Sequence, residues 1–408
     1  MGQQSLRNMR ALAHHDLAGS GSCGEGTVLL ERGGRRYLYI AHVDIQASFS
    51  ILDVSDPRAP ELLFQEFLPH AEVRSNSLAV AGDLLLVAHE VRRPGLRPAG
   101  VELFDLSDPA LPRSVAFFDT SGPRSRGTHW VGCFDGERAY LSTGMPDSRP
   151  THRLDDQFPV IVDVTNPSAP AELGRWWLPG TQEQDEQAPP VHHDLAGEGL
   201  DNGYRSHNIS VYPQRPDRAY VAYLDGGVVI LDISDPAAPT VAGRLSYSPP
   251  LPGFTHTALP LTSRELLVIT DESIVDAAAD YPKLLWIADM SHEPRPVLVG
   301  NAPMPAREEF VPRGGRFGLH NVHENDPFGW SWTSEEIVFA SLFSGGVRGY
   351  DIQNPFQPVE VAHFVPESRA SSRIGAAQTN DVYVTSDGIV FAVDRSGGGL
   401  DVLELTGI

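Results

Sequence analysis

Short apolar runs along the chain repeatedly end in the same polar signature. Each run is followed by Asp, an apolar residue, Ser or Thr, Asp or Asn, and Pro. The copies lie at 51–57, 103–109, 161–167 and 230–236, with weaker ones at 287–294, 350–355 and 400–405. Asp and Asn side chains cap tight turns, and Pro presets the backbone of the next position. The signature therefore predicts a strand followed by a short hairpin turn.

The spacing of these hairpins predicts an all-β fold, a seven-bladed β-propeller. Each copy follows one or two β-rich runs and precedes another short one, which gives four strands in each repeat of about 50–70 residues. The seventh repeat lacks its fourth strand, and we expect the N-terminal stretch 5–16 to supply it and close the ring. We predict a single domain over 1–408, with approximate blades at 20–70, 71–120, 126–178, 204–248, 253–303, 317–366, and 376–408 plus 5–16.

The repeat also resembles a known family. The segment 226–236 reads Gly-Gly-Val-Val-Ile-Leu-Asp-Ile-Ser-Asp-Pro and is close to the signature of the LVIVD-repeat β-propellers. The likeness extends over nearly the whole chain and implies a propeller. It implies little about chemistry, so function has to be argued from other residues.

Composition narrows the classes of partner. The 408 residues carry a formal net charge of −22, which disfavours nucleic acid and anionic membranes as partners. The N-terminus shows no apolar signal segment, and no run is long enough to span a membrane. Only Cys23 and Cys133 occur, and we expect Cys133 to be a small buried residue rather than part of a disulfide framework. Together these features favour a cytoplasmic protein.

One face of the propeller is expected to carry the function. The hairpins on one face are nearly constant in length, whereas connections on the opposite face carry insertions. Variable loops on a rigid scaffold are the usual place for binding sites. The insertions are 90–100, 145–158, 179–204, 272–283 and 306–318.

Four histidines occupy matching positions at the start of the inner strands of blades three to six. They are His129, His207, His256 and His320, and Asn76 and Asn380 take the equivalent places in blades two and seven. Imidazoles that converge near the axis suit a divalent metal such as Fe, Cu, Mn or Zn, so we predict a histidine cluster with a catalytic or metal-binding role. The alternative is a ring of neutral, hydrogen-bonded histidines that lines the channel.

Arginines form a third repeated feature. One lies a few residues before each of five inner strands: Arg74, Arg126, Arg205, Arg316 and Arg373. Guanidinium groups around an axial mouth would bind a carboxylate or phosphate, so we predict that they hold an acidic substrate. The alternative is that each arginine pairs with an Asp or Glu of a neighbouring blade.

Further titratable groups are expected near the same face. Ends of second strands bring His42 with Asp44, His89 with Glu90, Asp225, Asp271 with Glu272, and Asp394. The six residues His-His-Asp-Leu-Ala-Gly occur twice, at 14–19 and 192–197. A ligand or catalytic role for these groups is a weaker hypothesis than a role for the histidine cluster.

These observations favour an enzyme that acts on an acidic small molecule at the axial mouth. With a redox metal, oxidoreductase or oxygenase chemistry is expected; without one, histidine acid–base catalysis would suit a lyase, isomerase or hydrolase. The alternative function is non-catalytic binding of a ligand or a protein, which the fold serves equally well. The chain shows no Gly-x-Gly-x-x-Gly or Walker motif, so no nucleotide cofactor is expected.

Overall fold

The architecture is that of a seven-bladed β-propeller, as predicted. A computed structural model describes residues 4–193 and 201–408, and within them helix is confined to short turns such as Arg307–Phe310. The first strands are β1 (Ser5–Arg7), β2 (Met9–His15), β3 (Cys23–Arg32), β4 (Arg35–His42), β5 (Ala47–Asp53), β6 (Glu61–Phe67), β7 (Val73–Arg74), β8 (Leu78–Ala81), β9 (Leu84–Val91), β10 (Gly100–Asp105), β11 (Arg113–Asp119), β12 (Thr128–Gly132), β13 (Arg138–Thr143), β14 (Phe158–Asp163) and β15 (Ala171–Arg175). The remaining strands are β16 (Ile209–Tyr212), β17 (Arg215–Ala222), β18 (Val228–Asp232), β19 (Thr240–Leu245), β20 (Thr255–Leu261), β21 (Leu266–Asp271), β22 (Leu285–Asp289), β23 (Val297–Asn301), β24 (Ile337–Ser341), β25 (Val347–Asp351), β26 (Val359–Val365), β27 (Thr379–Val384), β28 (Ile389–Asp394) and β29 (Leu400–Leu405).

Seven antiparallel sheets form the blades. Blade 2 contains β7 to β11, and each of the other blades contains four strands. The other blades are blade 1 (β3 to β6), blade 3 (β12 to β15), blade 4 (β16 to β19), blade 5 (β20 to β23), blade 6 (β24, β25, β26 and β1) and blade 7 (β27, β28, β29 and β2).

Two compact units make up the described chain. Unit 1 comprises 4–67, 261–289 and 297–408, and unit 2 comprises 68–193, 201–260 and 290–296. Blades 1, 6 and 7 lie wholly in unit 1, and blades 2, 3 and 4 lie wholly in unit 2.

The N-terminal strand completes the last blade, as predicted. β2 pairs antiparallel with β29, with Met9 opposite Leu405 and His15 opposite Leu400. The preceding strand β1 pairs with β26 at the outer edge of blade 6, a contact that the repeat pattern does not predict. Pairing both ends of the chain in this way covers strand edges that would otherwise be open to water and to other chains.

Five of the repeated hairpin turns are capped by their own aspartate, as predicted. The first Asp of the signature accepts a hydrogen bond from the backbone N–H two residues later. These bonds run from Ser55 to Asp53 (2.8 Å), from Ser107 to Asp105 (2.7 Å), from Thr165 to Asp163 (2.9 Å), from Ser234 to Asp232 (3.0 Å) and from Gln353 to Asp351 (2.8 Å). These local bonds hold each turn at the end of its third strand.

The same turns also pack against the outer strand of the preceding blade. Gly174 in β15 lies against the backbone of Pro236 in the next turn, and Gly243 in β19 lies against Glu293. A Cβ atom at either glycine would collide with the facing carbonyl oxygen, so these two positions require glycine for close approach.

The hydrophobic core lies between neighbouring blades. One cluster joins blades 2 and 3 through residues such as Leu86, Val101 and Val160, and another joins blades 3 and 4 through Ile161 and Val229. Cys133 is a buried member of the first cluster and carries a free thiol, as predicted.

Blade 6 departs from the expected pattern at its inner strand. The segment around His320 was expected to form a regular strand, but its pairing with β24 is limited to the isolated bridge of Val322 to Ala340 and a few backbone hydrogen bonds. The long insertion 306–318 precedes this segment and the loop 324–336 follows it, so only a short stretch is held in extended conformation. The backbone N–H of His320 still donates to the Ser341 carbonyl oxygen at 3.0 Å, which keeps the histidine at the start of the blade.

Candidate functional site

Three of the five predicted arginines meet at one end of blades 2, 3 and 4. We call the group of Arg74, Arg126 and Arg205, with the carboxylates of Glu90 and Asp156, the arginine cluster. Arg74 ends β7, Glu90 lies near the end of β9, and Asp156 belongs to the insertion before β14. Because inner strands start where second strands end, this edge of unit 2 brings all five groups together.

Glu90 is the buried anchor of the cluster. Its side chain is 1% exposed and accepts hydrogen bonds from Arg74 Nη2 at 2.6 Å and from His129 Nδ1 at 2.7 Å. Arg126 Nη1 lies 3.1 Å from its other oxygen, to which Gln157 also donates at 3.1 Å. Burial by itself would raise the pKa of Glu90, but Arg74, His129 and Arg126 outweigh it, so the pKa lies well below its ordinary value. Glu90 is therefore an ionised hub.

Asp156 holds the second arginine in a fixed orientation. Arg126 donates to its two oxygens from Nε at 2.5 Å and from Nη2 at 3.0 Å, a bidentate arrangement. The Asp156 side chain is 2% exposed, whereas that of Arg126 is 21% exposed. The acidic groups of the cluster are thus buried beneath guanidinium groups that reach solvent.

Arg205 is the least satisfied member of the cluster. Its Nη1 lies 3.6 Å from Asp156 Oδ1, and no hydrogen bond from its guanidinium exists within residues 4–193 and 201–408. Burial and the neighbouring Arg126 guanidinium lower the pKa of Arg205 from its ordinary value, and Arg74 adds to the effect. This cation therefore lies among like charges and shares its nearest anion, Asp156, with Arg126.

Three of the four predicted histidines form a row in unit 2. The ring centroids of His129 and His207 are 4.5 Å apart, and those of His207 and His256 are 4.0 Å apart. The shortest distance between His129 and His207 is 2.9 Å, between their Nε2 atoms. The row touches the arginine cluster because His129 shares Glu90 with Arg74.

The hydrogen bonds of this pair determine where its protons lie. His129 Nδ1 contacts the ionised Glu90, so it carries a hydrogen, and its Nε2 accepts from Asn76 Nδ2 at 3.4 Å. His207 Nδ1 lies 2.9 Å from Asn208 Oδ1 and therefore also carries a hydrogen. With neutral rings, two lone pairs would face each other across 2.9 Å. A shared proton or a bound cation relieves that repulsion.

The fourth histidine, His320, lies in unit 1 in a different electrostatic setting. Its Nε2 is 3.5 Å from Glu25 and 3.6 Å from Glu272, and Glu272 also accepts from Arg316 Nη1 at 2.7 Å. Burial would lower the pKa of His320, but Glu272 and Glu25 outweigh it, so the pKa is raised above its ordinary value. Glu25, Glu272, Arg316 and His320 are called the glutamate cluster below.

The fifth predicted arginine stands apart from the other four. Arg373 is 44% exposed, donates to the Asp44 carbonyl oxygen at 3.1 Å, and lies 4.0 Å from the Asp44 carboxylate. It holds a loop rather than a buried carboxylate. The alternative that the arginines pair with acidic neighbours therefore describes Arg74, Arg126 and Arg316 well, and it describes Arg205 and Arg373 loosely. Substrate binding by any of them stays a prediction.

The groups at the other second-strand ends have structural partners. Asp225 accepts from the backbone of Asn202 at 2.8 Å, and Asp271 accepts from Trp286 Nε1 at 2.6 Å. Burial lowers the pKa of His42 and of His89 to about 4, so both rings are neutral. Asp394 caps the turn that follows it by accepting from Ser396 N at 2.6 Å.

The duplicated six-residue segment has one copy within the described residues. His15 Nδ1 accepts from the backbone of Leu17 at 2.9 Å, and Asp16 caps the turn at Ala18, which is a structural role. Of the second copy, residues 194–197 lie outside the described residues. His192, which precedes them, contacts Asp155 and Asp201.

Sequence reasoning missed Asp156, Gln157 and Glu25 as members of the two clusters. Asp156 and Gln157 belong to an insertion whose course the repeat does not determine, and Glu25 lies in a short run before the first hairpin. One signal was available for Glu90 and Glu272: each is the acidic residue at the end of a second strand, next to the Arg and His that precede the following inner strand.

Comparison with protein families identifies the repeat. The model of the LVIVD repeat matches residues 35–65, 159–176 and 208–246, which lie in blades 1, 3 and 4. The chain is a β-propeller with LVIVD repeats. No curated protein sequence is detectably similar to it. The resemblance noted in the sequence is thereby confirmed.

Solved structures support the same fold at low sequence identity. The LVIVD-repeat chain is similar to U3-55K (12% identity, TM-score 0.57, covering 97% of this chain and 98% of that one). It is also similar to the Cps50 (Swd1) β-propeller domain of Myceliophteria thermophila (15%, 0.52, covering 93% and 96%). A third similar structure is YCF48 bound to D1 peptide (10%, 0.50, covering 100% and 96%). At these identities the likeness shows the fold alone.

Helices give no indication of a membrane segment. Within the described part of the chain, no helix is long and apolar enough to cross a bilayer. The cytoplasmic location stays a prediction.

Proposed function

We propose that this LVIVD-repeat propeller is a ligand-binding protein that holds an oxyanion at the arginine cluster. The observation that carries the proposal is the mostly buried Arg205 guanidinium, which lies near Arg74 and Arg126, shares Asp156 with Arg126 at 3.6 Å, and forms no hydrogen bond within the described residues. Burying a cation among like charges costs free energy unless an anion compensates. An anionic ligand provides that compensation.

The balance of charge in the cluster supports the proposal. Three guanidinium groups face two carboxylates, so the cluster carries an excess positive charge within a protein of net charge −22. The positive groups are also the more exposed ones. The Arg74 and Arg205 side chains are 23% and 19% exposed, whereas the two carboxylates are almost fully buried. Buried carboxylates that hold outward-facing arginines form a preorganised anion site.

The chemistry of the donors defines the class of ligand. Guanidinium groups match carboxylate and phosphate oxygens in bidentate geometry, so a small acid, a phosphate ester or an acidic peptide would fit. YCF48, a propeller of similar fold, is known bound to D1 peptide, and peptide binding therefore belongs among the expected uses of this scaffold. Binding without catalysis explains the cluster with the fewest assumptions.

The proposal is tested by the affinity of simple anions. We expect succinate and inorganic phosphate, titrated into the protein by calorimetry, to bind the wild type. The Arg205→Ala substitution removes a charge-assisted contact of about 1.5–3 kcal/mol and should weaken binding by about ten- to a hundredfold. Arg205→Lys retains charge but loses the bidentate fork, so its affinity should lie between the two.

A matched control is available in unit 1. Arg373→Ala removes an equally charged but exposed arginine outside the arginine cluster and should leave anion affinity unchanged. Equal affinity in the wild type and Arg205→Ala would contradict the proposal. So would an equal loss in Arg373→Ala, because it would show a general charge effect.

A second candidate function is metal binding by His129 and His207. The specific observation is the 2.9 Å approach of their Nε2 atoms while both Nδ1 atoms donate hydrogen bonds. A carboxylate behind a histidine, as Glu90 lies behind His129, is the usual second contact of a metal-bound imidazole. A divalent ion such as Fe, Cu, Mn or Zn between the two rings would replace the shared proton.

Such an ion would extend the binding protein to an enzyme. A redox-active metal beside bound anions would support oxidation of an acidic small molecule, and Zn²⁺ or the histidines alone would support acid–base chemistry. Metal analysis of protein purified without an affinity tag tests this candidate. We expect His207→Gln to lose one equivalent of metal and the exposed neighbour variant His193→Gln to retain it; equal metal content in both would exclude the pair as ligands.

A further inference from the structure

Two insertions of unit 2 meet in a second cluster of metal-ligating side chains, apart from the histidine row. The insertion before β14 contributes His152 and Asp155, and the stretch before β16 contributes His192 and Asp201. A ligand-type atom from each of His152, Asp155 and His192 lies within 4.8 Å of the other two. The rings of His152 and His192 are 3.8 Å apart between centroids.

His192 is oriented in this cluster by two carboxylates. Its Nδ1 lies 2.9 Å from Asp201 Oδ2, and its Nε2 lies 3.1 Å from Asp155 Oδ2. If Asp201 takes the hydrogen on Nδ1, as carboxylates behind metal-bound histidines do, then Nε2 presents a lone pair to Asp155. Either a proton on Nε2 or a bound metal ion removes the repulsion between these two acceptors.

Asp155 is a buried carboxylate with one oxygen directed at His192. The residue is only 1% exposed, and its Oδ1 accepts a hydrogen bond from the backbone N–H of Tyr204 at 2.8 Å. Its other oxygen, Oδ2, points at His192. A carboxylate this deeply buried is costly unless a positive charge stays close to it.

We propose that His152, Asp155 and His192 bind a divalent transition-metal ion, with Asp201 orienting His192. Two imidazoles and one carboxylate are a common ligand set for Zn²⁺, and a fourth position would be left for water or ligand. Zn²⁺ is therefore the probe of choice. The two histidine side chains are partly exposed, so an ion can enter from solvent.

Residues of this site are sequence neighbours of residues in the arginine cluster. Asp155 immediately precedes Asp156, and Tyr204, whose backbone contacts Asp155, immediately precedes Arg205. An ion that joins the two insertions would therefore fix two members of the arginine cluster. The metal site does not depend on the proposed anion-binding function, since it rests on different side chains.

Zinc binding by separate variants tests the proposal. The His207→Gln protein, prepared without an affinity tag and stripped with a chelator, removes the histidine row as a competing site. We expect it to bind one Zn²⁺ per chain in equilibrium dialysis, and to give a visible absorption band when Co²⁺ replaces Zn²⁺. Adding His152→Gln or His192→Gln should abolish both signals, and Asp201→Asn should weaken Zn²⁺ binding by about 10–100-fold.

Two matched controls come from the same sequence. His193→Gln changes the exposed neighbour of His192, and His14→Gln changes the equivalent residue of the duplicated segment, which contacts one carboxylate, Asp401, at 3.2 Å. Both should bind Zn²⁺ like the parent. Apart from its ring contact with His192, the His152 side chain makes one long hydrogen bond within the described residues, from Leu154 N at 3.4 Å, so its variant is expected to fold even if His192→Gln does not.

The outcomes separate cleanly. Loss of one Zn²⁺ in His152→Gln, with no loss in the two controls, would support the site. An absence of Zn²⁺ binding in the His207→Gln parent would overturn it, as would unchanged binding in His152→Gln. Anion affinity, measured in parallel on the same proteins, reports on the arginine cluster, and its failure would leave the zinc result standing.

Discussion

The arginine cluster of unit 2 and the glutamate cluster of unit 1 each contain a triad of the same three residue types: Arg, His and Glu. In each, an Arg and a His from the start of one blade reach the Glu at the end of a second strand of the preceding blade. Arg126 and His129 meet Glu90 in this way, and Arg316 and His320 meet Glu272. The additions to this triad differ, and so does the balance of charge around it.

Unit 2 adds two arginines and one aspartate to the triad, whereas unit 1 adds the carboxylate of Glu25. The first therefore has an excess of positive charge around its triad, and the second places two carboxylates around one buried histidine. The comparison teaches that a repeated scaffold can present different balances of charge at equivalent places. Arg74 and Arg205 come from the repeated arginine positions, whereas Asp156 lies in an insertion and Glu25 lies in β3.

The largest expected effect concerns the two glutamates of the triads. Glu90→Gln would leave Arg74 and Arg126 partly buried without their shared carboxylate, which should lower the free energy of unfolding by about 3–5 kcal/mol. Glu272→Gln should cost less, about 1.5–3 kcal/mol, because Glu25 remains beside His320. Urea and thermal unfolding of both variants, followed by circular dichroism, measures the difference.

A surface ion pair gives the reference for this comparison. The Glu183 side chain is 45% exposed and pairs with Arg124. Glu183→Gln should therefore change the free energy of unfolding by no more than about 0.5 kcal/mol. If Glu90→Gln were no more harmful than Glu183→Gln, Glu90 would not be the anchor of its cluster.

The fold was predictable from the sequence because its signals are local. The Asp and Pro of each hairpin act within a few residues, so the turn at Asp53 can be read directly from the chain. Pairing of the two chain ends was predictable by counting strands, since the last repeat stops after three. The strand β1 was not, because Ser5–Arg7 carries no apolar alternation and pairs only because β26 offers a free edge.

The candidate sites were predictable only in part. Matching positions in the repeat indicate His129, His207 and Arg126, because the repeat itself sets their place on the inner strands. Asp156 and Asp155 lie in an insertion whose path depends on tertiary contacts, such as the bond from Tyr204 N to Asp155. The sequence therefore indicates which residues the scaffold presents but not the partners that insertions bring to them.

A smaller effect on stability is expected when an arginine is removed from each cluster, and its direction should differ between Arg205 and Arg316. Without a bound anion, Arg205 repels Arg126 and Arg74, so Arg205→Ala should stabilise the protein by about 0.5–2 kcal/mol. Arg316→Ala should instead destabilise it, because Arg316 neutralises Glu272. Thermal unfolding in buffer free of phosphate and carboxylates measures both. A destabilised Arg205→Ala would show that Arg205 is a structural partner rather than a ligand-binding group.

The smallest expected effect is the pH dependence contributed by His320. Its pKa in the folded protein lies above the ordinary 6.5 because Glu272 and Glu25 outweigh burial. A raised folded pKa stabilises the protein fully at pH values below the unfolded pKa, and the contribution is lost as pH rises through the folded value. Glu25→Gln removes part of the attraction, which should cost on the order of 0.5 kcal/mol at low pH.

The stability difference between wild type and Glu25→Gln should therefore be largest below pH 6.5 and should shrink as pH rises through the raised pKa of His320 in the folded protein. Chelator-treated protein is used, so that proton binding alone is compared, and thermal unfolding is recorded across this range. His89→Gln gives the matched control, because His89 is a buried histidine whose pKa is lowered to about 4 and which stays neutral throughout. A difference for Glu25→Gln that grew with pH would contradict a charged His320, and the glutamate cluster would then have to hold a neutral imidazole between its two carboxylates.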